Sequence, residues 1–342
     1  AKASGVSIAT VSMVVNHNPR ISPATVKRVR CCLDQMGYRP SGWAANAAPA
    51  RKHPTLAVLL PAQRHAFADA YFGELISGIT EAGTRLGHAV IFEQATTDFI
   101  RARQHLNLLE QRSVDGMLCL GFNDYHNFLD DFAGDPKRAV VLVDSQVSRA
   151  QVDSVGCDYR SGAQQAMNYL LQLGHRRIGL ITSASGGRST RDIAEVYQSV
   201  MAEHDVRPGE GWIADGRFSE EGGDEAAERI LRRRPDVTAI FAASDKMAIG
   251  ALHCAQRRGM KVPGDLSIVG FDNLEHAAYL NPPLSTVHLP LLAVGAAACE
   301  RLIERIAGRT EAVCEKLATH LVVRHSSAIA RDLPASKESS AA

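Results

Sequence analysis

Asp144, Asp245 and Asp272 stand at or just past the ends of short apolar runs, "VVLV", "IFAA" and "SIVGF", and Ser244 precedes Asp245. Polar groups at the ends of buried strands are where this chain could do chemistry. An ionised carboxylate only accepts hydrogen bonds, so one Asp can hold two hydroxyls of a sugar or other polyol. Phe218, closing "DGRF", could offer the flat apolar face that such a ligand also needs. Plainer readings stand beside these. Ser244 or Asp245 suits the N-cap of a following helix. Asp272 suits that duty less well, because "NLEHAAY" is a poor helix start, and Phe218 could equally lie in a core. A second polar set lies near the start: Thr10, Ser12 and Asn16 fall on the outer face of "GVSIATVSMVVN". Hydroxyls and amides so placed can meet phosphates and base edges of nucleic acid.

The elements that must position the second set are short helices. Ala1 to Ser4 represent a first helix, ended by Gly5. Ser7 can N-cap another, with Val11, Val14 and Val15 as its buried stripe and Thr10, Ser12, Met13 and Asn16 facing outward. "NHNPRIS" reads as a loop, and Ser22-Pro23 opens a third helix with Val26, Val29, Leu33 and Met36 at helical spacing before Gly37. Two helices about a tight glycine turn make a helix-turn-helix pattern, whose second helix meets base edges with its N-terminal residues, here Ser7, Ile8, Ala9 and Thr10. Charge agrees. Up to His53 the chain carries eight Lys or Arg against Asp34 alone, so this segment is +7 and the remainder −6. A basic head on a body with another task fits that split, and so does a merely solvated basic face.

After the alanine-, proline- and base-rich linker "YRPSGWAANAAPARKHP" the rhythm changes. The strands "TLAVLLP", "AVIFEQ", "GMLCLG", "AVVLVD", "RIGLIT", "AIFAAS" and "LSIVGFD" alternate with helices near residues 71–86, 101–111, 161–173, 192–204, 222–232 and 245–258. This alternation predicts parallel sheets covered on both faces, in two doubly wound lobes on either side of about residue 150. A ligand would sit between them, at the strand C-termini.

With 342 residues, 45% hydrophobic and 22% charged, the composition is that of an ordinary globular chain of two or three domains. No long apolar run predicts a membrane span, and no secretory signal pattern opens the chain, so a cytoplasmic protein is expected. The seven cysteines form no C-x-x-C pair, which favours reduced thiols over disulfides or zinc. Neither a phosphate-binding glycine loop, a G-x-S-x-G elbow nor a metal-spaced His/Cys cluster occurs. An enzyme is therefore not expected, and no cofactor is implied.

Taken in order, "GVSIATVSMVVN", "ISPATVKRVRCCLDQMGYRP", "RSVDGMLCLG", "LLQLGHRRIGLI", "AIFAASDKMAIGAL", "VPGDLSIVGFDNLE" and "PPLSTVHLP" resemble the lactose/galactose repressor (LacI/GalR) family of bacterial transcription regulators over nearly the whole chain. The resemblance implies a small all-α helix-turn-helix head at residues 1–40, its first helix incomplete, and a hinge at 41–54. It further implies a periplasmic-binding-protein-like α/β core at 55–330, which dimerises and binds a small effector. Lobe 1 is expected at about 55–152 and 283–312, and lobe 2 at 153–282 and 313–330. The polar tail 331–342 is expected to be disordered. Carried over by position, Ser7, Thr10, Ser12, Asn16, Arg20, Ser22 and Thr25 match residues that touch DNA. Phe218, Ser244 and Asp272 match effector positions and Asp69 lies near another; Asp144 and Arg191 complete the candidate set.

The chain also departs from the family pattern. Met13 stands where an arginine usually contacts DNA, Ala47 where a leucine usually wedges the minor groove, and Ile193 where an arginine usually grips the effector. Such wedges unstack a base step and bend the duplex, which a methyl group does little of. The expected partners are double-stranded operator DNA, a sugar-like effector and a second copy of the chain, with no membrane. The alternative is a small-molecule receptor with a head that no longer binds DNA.

Overall fold

The computed structural model describes residues 3–15, 21–35, 54–62, 66–123, 126–132, 138–145, 152–185 and 187–331. The chain divides into two compact units, Ala1–Pro54 and Thr55–Ala342.

In the first unit, helices α1 (Ile8–Val15) and α2 (Pro23–Gln35) start in the same way. Ser7 Oγ accepts the Thr10 amide at 3.1 Å, and Ser22 Oγ accepts the Thr25 amide at 3.3 Å. Each serine thus satisfies an amide that the first helical turn leaves unpaired. Gly5 takes φ +63°, a left-handed turn that a side chain would strain. Val14, Val29 and Leu33 form the small core, with Val6, Val11, Ile21 and Val26 packed against it. The side chain of Val15, together with Met36, Gly37 and the hinge up to His53 with Ala47, lies outside the described residues.

The second unit contains β1 (Thr55–Pro61), α3 (Ala70–Arg85), β2 (Ala89–Ala95), α4 (Thr97–Arg101), α5 (Gln104–Glu110), β3 (Gly116–Leu120) and β4 (Val140–Val143). It continues through β5 (Asp153–Cys157), α6 (Tyr159–Gln172), β6 (Ile178–Thr182), α7 (Gly187–Glu203), β7 (Ile213–Asp215), α8 (Glu220–Arg233) and β8 (Ala239–Ala242). It ends with α9 (Asp245–Arg257), β9 (Ser267–Asp272), β10 (Ser285–His288), α10 (Leu291–Ile306), β11 (Cys314–Leu317) and β12 (His320–Val322). The strands make two six-stranded sheets, ordered β11-β5-β4-β3-β1-β2 and β12-β10-β9-β8-β6-β7. Pairing is parallel throughout, except that β10 and β12 are antiparallel. Central strands such as β3 and β8 are buried along their whole length, as parallel strands covered by helices must be. In lobe 1, α3 and α10 pack backbone to backbone: a Cβ on Gly295 would lie 2.2 Å from the Leu75 carbonyl oxygen.

The two doubly wound lobes are present, but the chain passes between them at other points than 152/153, 282/283 and 312/313. β5 belongs to the first sheet, beside β4; β10 belongs to the second; β11 returns to the first. Asp153 explains the first of these. Its buried carboxylate accepts Arg309 Nη2–H at 2.5 Å and the Val313 amide at 2.7 Å, which ties β5 to the segment leading into β11. The helix expected at 101–111 is the shorter α5, which Arg103, with φ 52°, separates from α4. Of the expected tail, Arg331 is described and donates to Asp265 at 2.5 Å; residues 332–342 lie outside the described residues.

Candidate functional site

In the helix-turn-helix unit, Ser7, Ser12 and Ser22 are exposed, while Thr10 and Thr25 are half-buried. Hydroxyl pairs Ser7–Thr10 and Ser22–Thr25, each 2.9 Å apart, fix these side chains at the two helix starts. Asn16 and Arg20 lie outside the described residues. Ile8 is 80% exposed at the first position of α1 and Met13 is 38% exposed on the same short helix. A bare isoleucine beside capping hydroxyls is a costly surface for water alone, and an aliphatic group at this position can meet a thymine methyl in the major groove.

In the core, the C-terminal ends of β4 and β9 bring candidate residues from both lobes together. Asp144 follows β4 with φ 48° and accepts hydroxyl hydrogen bonds from Tyr71 of α3 and Tyr159 of α6 on one carboxylate oxygen. The Cys157 amide donates to the other oxygen at 3.4 Å. Tyr159 opens lobe 2 and stacks on Phe271 of β9, ring centroids 5.8 Å apart at 10°. Burial pushes the Asp144 carboxyl up to about 6, against the opposing pull of these donors. Burial, followed by the Asp144 charge, drives the Tyr159 phenol well above its ordinary value. Tyr159 therefore stays a donor. The arrangement is one a polyol hydroxyl can enter by taking the place of either phenol.

Asp69 N-caps α3, accepting the Tyr71 amide at 3.0 Å, and its other oxygen accepts Lys246 Nζ–H from α9 of lobe 2 at 2.7 Å. Ser244 N-caps α9 through the Met247 amide at 3.2 Å, so the capping duty foreseen for it is real. Asp245, fully buried, accepts Thr286 Oγ1–H at 2.5 Å and the Leu274 amide at 2.8 Å, which holds the turn carrying Asp272 and Asn273. That turn is bent, with φ 119° at Asp272 and 58° at Asn273. Burial raises Asp245 to about 7. It also raises Asp272 well above the carboxylate range, and the charges of Asp245, Asp69 and Asp144 add to the effect. Four carboxyl groups thus share one electrostatic neighbourhood between the lobes, with Lys246 paired to one of them.

Phe218 and Arg191 lie elsewhere on lobe 2. Phe218 is 36% exposed, with φ 50°, on the turn between β7 and α8, so it is not a core residue. Arg191 lines a cavity between β6, β7 and α7 whose lining includes none of the other candidates. Ile193 is 1% exposed and packs in the hydrophobic core. Tyr71, Tyr159 and Lys246 were not foreseen as cleft residues. Their nearest sequence signal is that each stands within two residues of a capping Asp or Ser, at a helix start that follows a strand.

Comparison with known proteins places these observations in a family. Residues 1–41 match the model for bacterial regulatory proteins of the lacI family, and residues 167–327 match that for a periplasmic binding protein-like domain. The HTH-type transcriptional regulator DegA of Bacillus subtilis (strain 168) is 33% identical over 335 residues, covering 95% of this chain and 96% of that protein. Catabolite control protein A of Priestia megaterium is 32% identical over 304 residues, covering 88% and 90%. Among solved structures, a transcriptional regulator CelR–cellobiose complex is similar with a TM-score of 0.72 and 30% identity, over 95% of this chain and 98% of that one. No helix among the described residues is long and apolar enough to cross a membrane. The chain belongs to the LacI family of DNA-binding transcriptional regulators and is not an enzyme.

Proposed function

We propose that this regulator is a repressor of a carbohydrate-utilisation operon, acting in the cytoplasm as a homodimer on a palindromic operator and released or engaged by a sugar-like effector held between its lobes. The observation that carries the reading is the Tyr71–Asp144–Tyr159 group, in which one carboxylate takes hydroxyl donors from both lobes. A ligand hydroxyl competing for those oxygens binds one lobe arrangement better than the other, and only such a difference shifts a conformational equilibrium. The cellobiose complex of a 30% identical relative supports a carbohydrate effector. A change of lobe angle in a dimer alters the spacing of its heads, and half-sites about 10 bp apart then no longer match.

The departures at Met13 and Ala47 point to an operator unlike the family's usual one, or to weaker binding, since each lost base contact is worth about 1–3 kcal/mol. Fluorescence anisotropy on a pool of palindromic duplexes, repeated over a salt series, tests the reading. Selective binding with a steep salt slope is the expected result, because phosphate contacts release counterions. Binding that ignores sequence, or none, would make the chain a small-molecule receptor instead. Met13→Arg and Ala47→Leu together are expected to tighten binding to a family-type palindrome.

A further inference from the structure

The ligand-facing edge of lobe 2 runs well past the carboxylates. Strands β9, β8, β6 and β7 are neighbours and parallel, so their C-terminal ends follow one another along one edge. Asp272, Ser244, Thr182 and Asp215 mark those ends in that order. Adjacent strands lie about 4.8 Å apart, so three steps separate Asp272 from Asp215 by about 14 Å. That is longer than a single six-membered ring can bridge.

The far end of this edge is hollow. A cavity of about 270 Å³ lies between β6, β7 and the first turns of α7, lined among others by Thr182, Thr190, Arg191, Ala194, Ile213 and Asp215. Small-molecule pockets run from about 300 Å³ upward, so this one has room for a ring rather than for a whole large ligand. Its lining has two characters. Ala194 and Ile213 are apolar, and Ile213 is 37% exposed on an edge strand where water gains nothing from it. Arg191 and Asp215 supply a guanidinium and a carboxylate.

We infer that this cavity is a second sugar subsite, so that the effector is an oligosaccharide of two or three units rather than a single ring. The inference rests on the carbohydrate reading proposed above. One unit sits on Asp144 and Asp272. The next enters the cavity with its carbon–hydrogen face on Ile213 and its hydroxyls on Arg191 and Asp215. The buried Ile193 fits this division, because a cation on α7 is then presented two residues earlier, by Arg191, to the second unit instead of the first.

Isothermal titration calorimetry of the full chain with glucose, galactose and xylose, and with di- and trisaccharides built from each, tests it. At least one oligosaccharide is expected to bind tenfold or more tighter than its own monosaccharide. Ala194→Leu, which fills the cavity, and Asp215→Asn, which keeps the acceptor for the Arg217 amide, are both expected to erase that chain-length gain. A monosaccharide that binds as tightly as its oligomers overturns the subsite and leaves the carbohydrate reading standing. A chain-length gain that survives both variants does the same. If no sugar in the panel binds, the carbohydrate reading falls, and the subsite falls with it.

Discussion

Lys246 and Asp69 join the two lobes through the starts of two helices, and breaking that pair is the sharpest test of how the lobes are held. Lys246 Nζ lies 2.7 Å from Asp69 Oδ2, and both side chains are about a quarter exposed, at 26% and 24%. At an effective dielectric of about 20 the gross attraction at this distance is roughly 6 kcal/mol. Desolvation and the ordering of the lysine chain offset most of it, leaving about 1–2 kcal/mol net. That corresponds to a five- to thirtyfold change in the ratio of closed to open lobes. Amide hydrogen exchange at Tyr71 and Met247 reads the opening, since both amides are bonded at helix starts that the pair spans. Lys246→Met and Asp69→Asn are each expected to speed exchange there by about five- to thirtyfold. Asparagine is chosen because it caps a helix as well as aspartate does, so α3 keeps its start. The double variant is expected to exchange no faster than either single one. Unchanged exchange in the singles, or effects that multiply in the double, would refute the idea that this pair holds the lobes closed.

Asp144 should impose a pH dependence of a particular sign. Its folded-state value of about 6 lies above the ordinary carboxylate value, so the folded state keeps a proton that the unfolded chain gives up near pH 4. Its contribution to stability therefore falls as pH rises from about 4 through 6, and thermal melts of Asp144→Asn should show a flatter pH slope over that window than the parent protein. Gly295→Ala forces a methyl group against the Leu75 carbonyl oxygen and is expected to cost about 1–3 kcal/mol or more, read as a lower urea midpoint. Ser7→Ala removes the α1 cap and is expected to cost about 1 kcal/mol in the head, seen as weaker operator binding in anisotropy with effector binding unchanged. Ile8→Ser should relax discrimination for thymine at one operator position by about 1–3 kcal/mol, measured across a panel of single-base operator variants.

Most of the strands that could be read from sequence were those buried on both faces, although the exposed edge strand β2, "AVIFEQ", was read as well. "TLAVLLP", "GMLCLG" and "AIFAAS" are continuous apolar runs, because helices cover both sides of a parallel sheet. β5, "DSVGC", escaped notice because its first residue is a carboxylate, and only Arg309, far along the chain, explains why a charge can lie buried there. β11 and β12 are half-exposed edge strands without an apolar run, so local pattern says little about them. In the cleft, Asp144 and Asp272 were legible because a polar residue directly after a buried strand points to a ligand edge. Tyr71, Tyr159 and Lys246 were not, since each is an ordinary helix residue until its partner on another element is known. Arg191, two positions from Ile193, lines a cavity whose lining includes neither Asp144 nor Asp272.

The interleaving of the lobes also decides the order in which this protein can be made. β5 receives its outer neighbour, β11, only after β6 to β10 of lobe 2 and α10 have been synthesised, and Asp153 waits 160 residues for Val313. Until then the nascent lobe 1 has an open sheet edge and lacks the helix that packs on α3. Parallel pairings across such separations form slowly, and an unpaired edge invites pairing with other chains meanwhile. Lobe 2 likewise has five strands, β6 to β10, contiguous in the chain, and its edge strand β12 follows β11. In this molecule both halves therefore become whole only near the end of translation, within a few residues of each other.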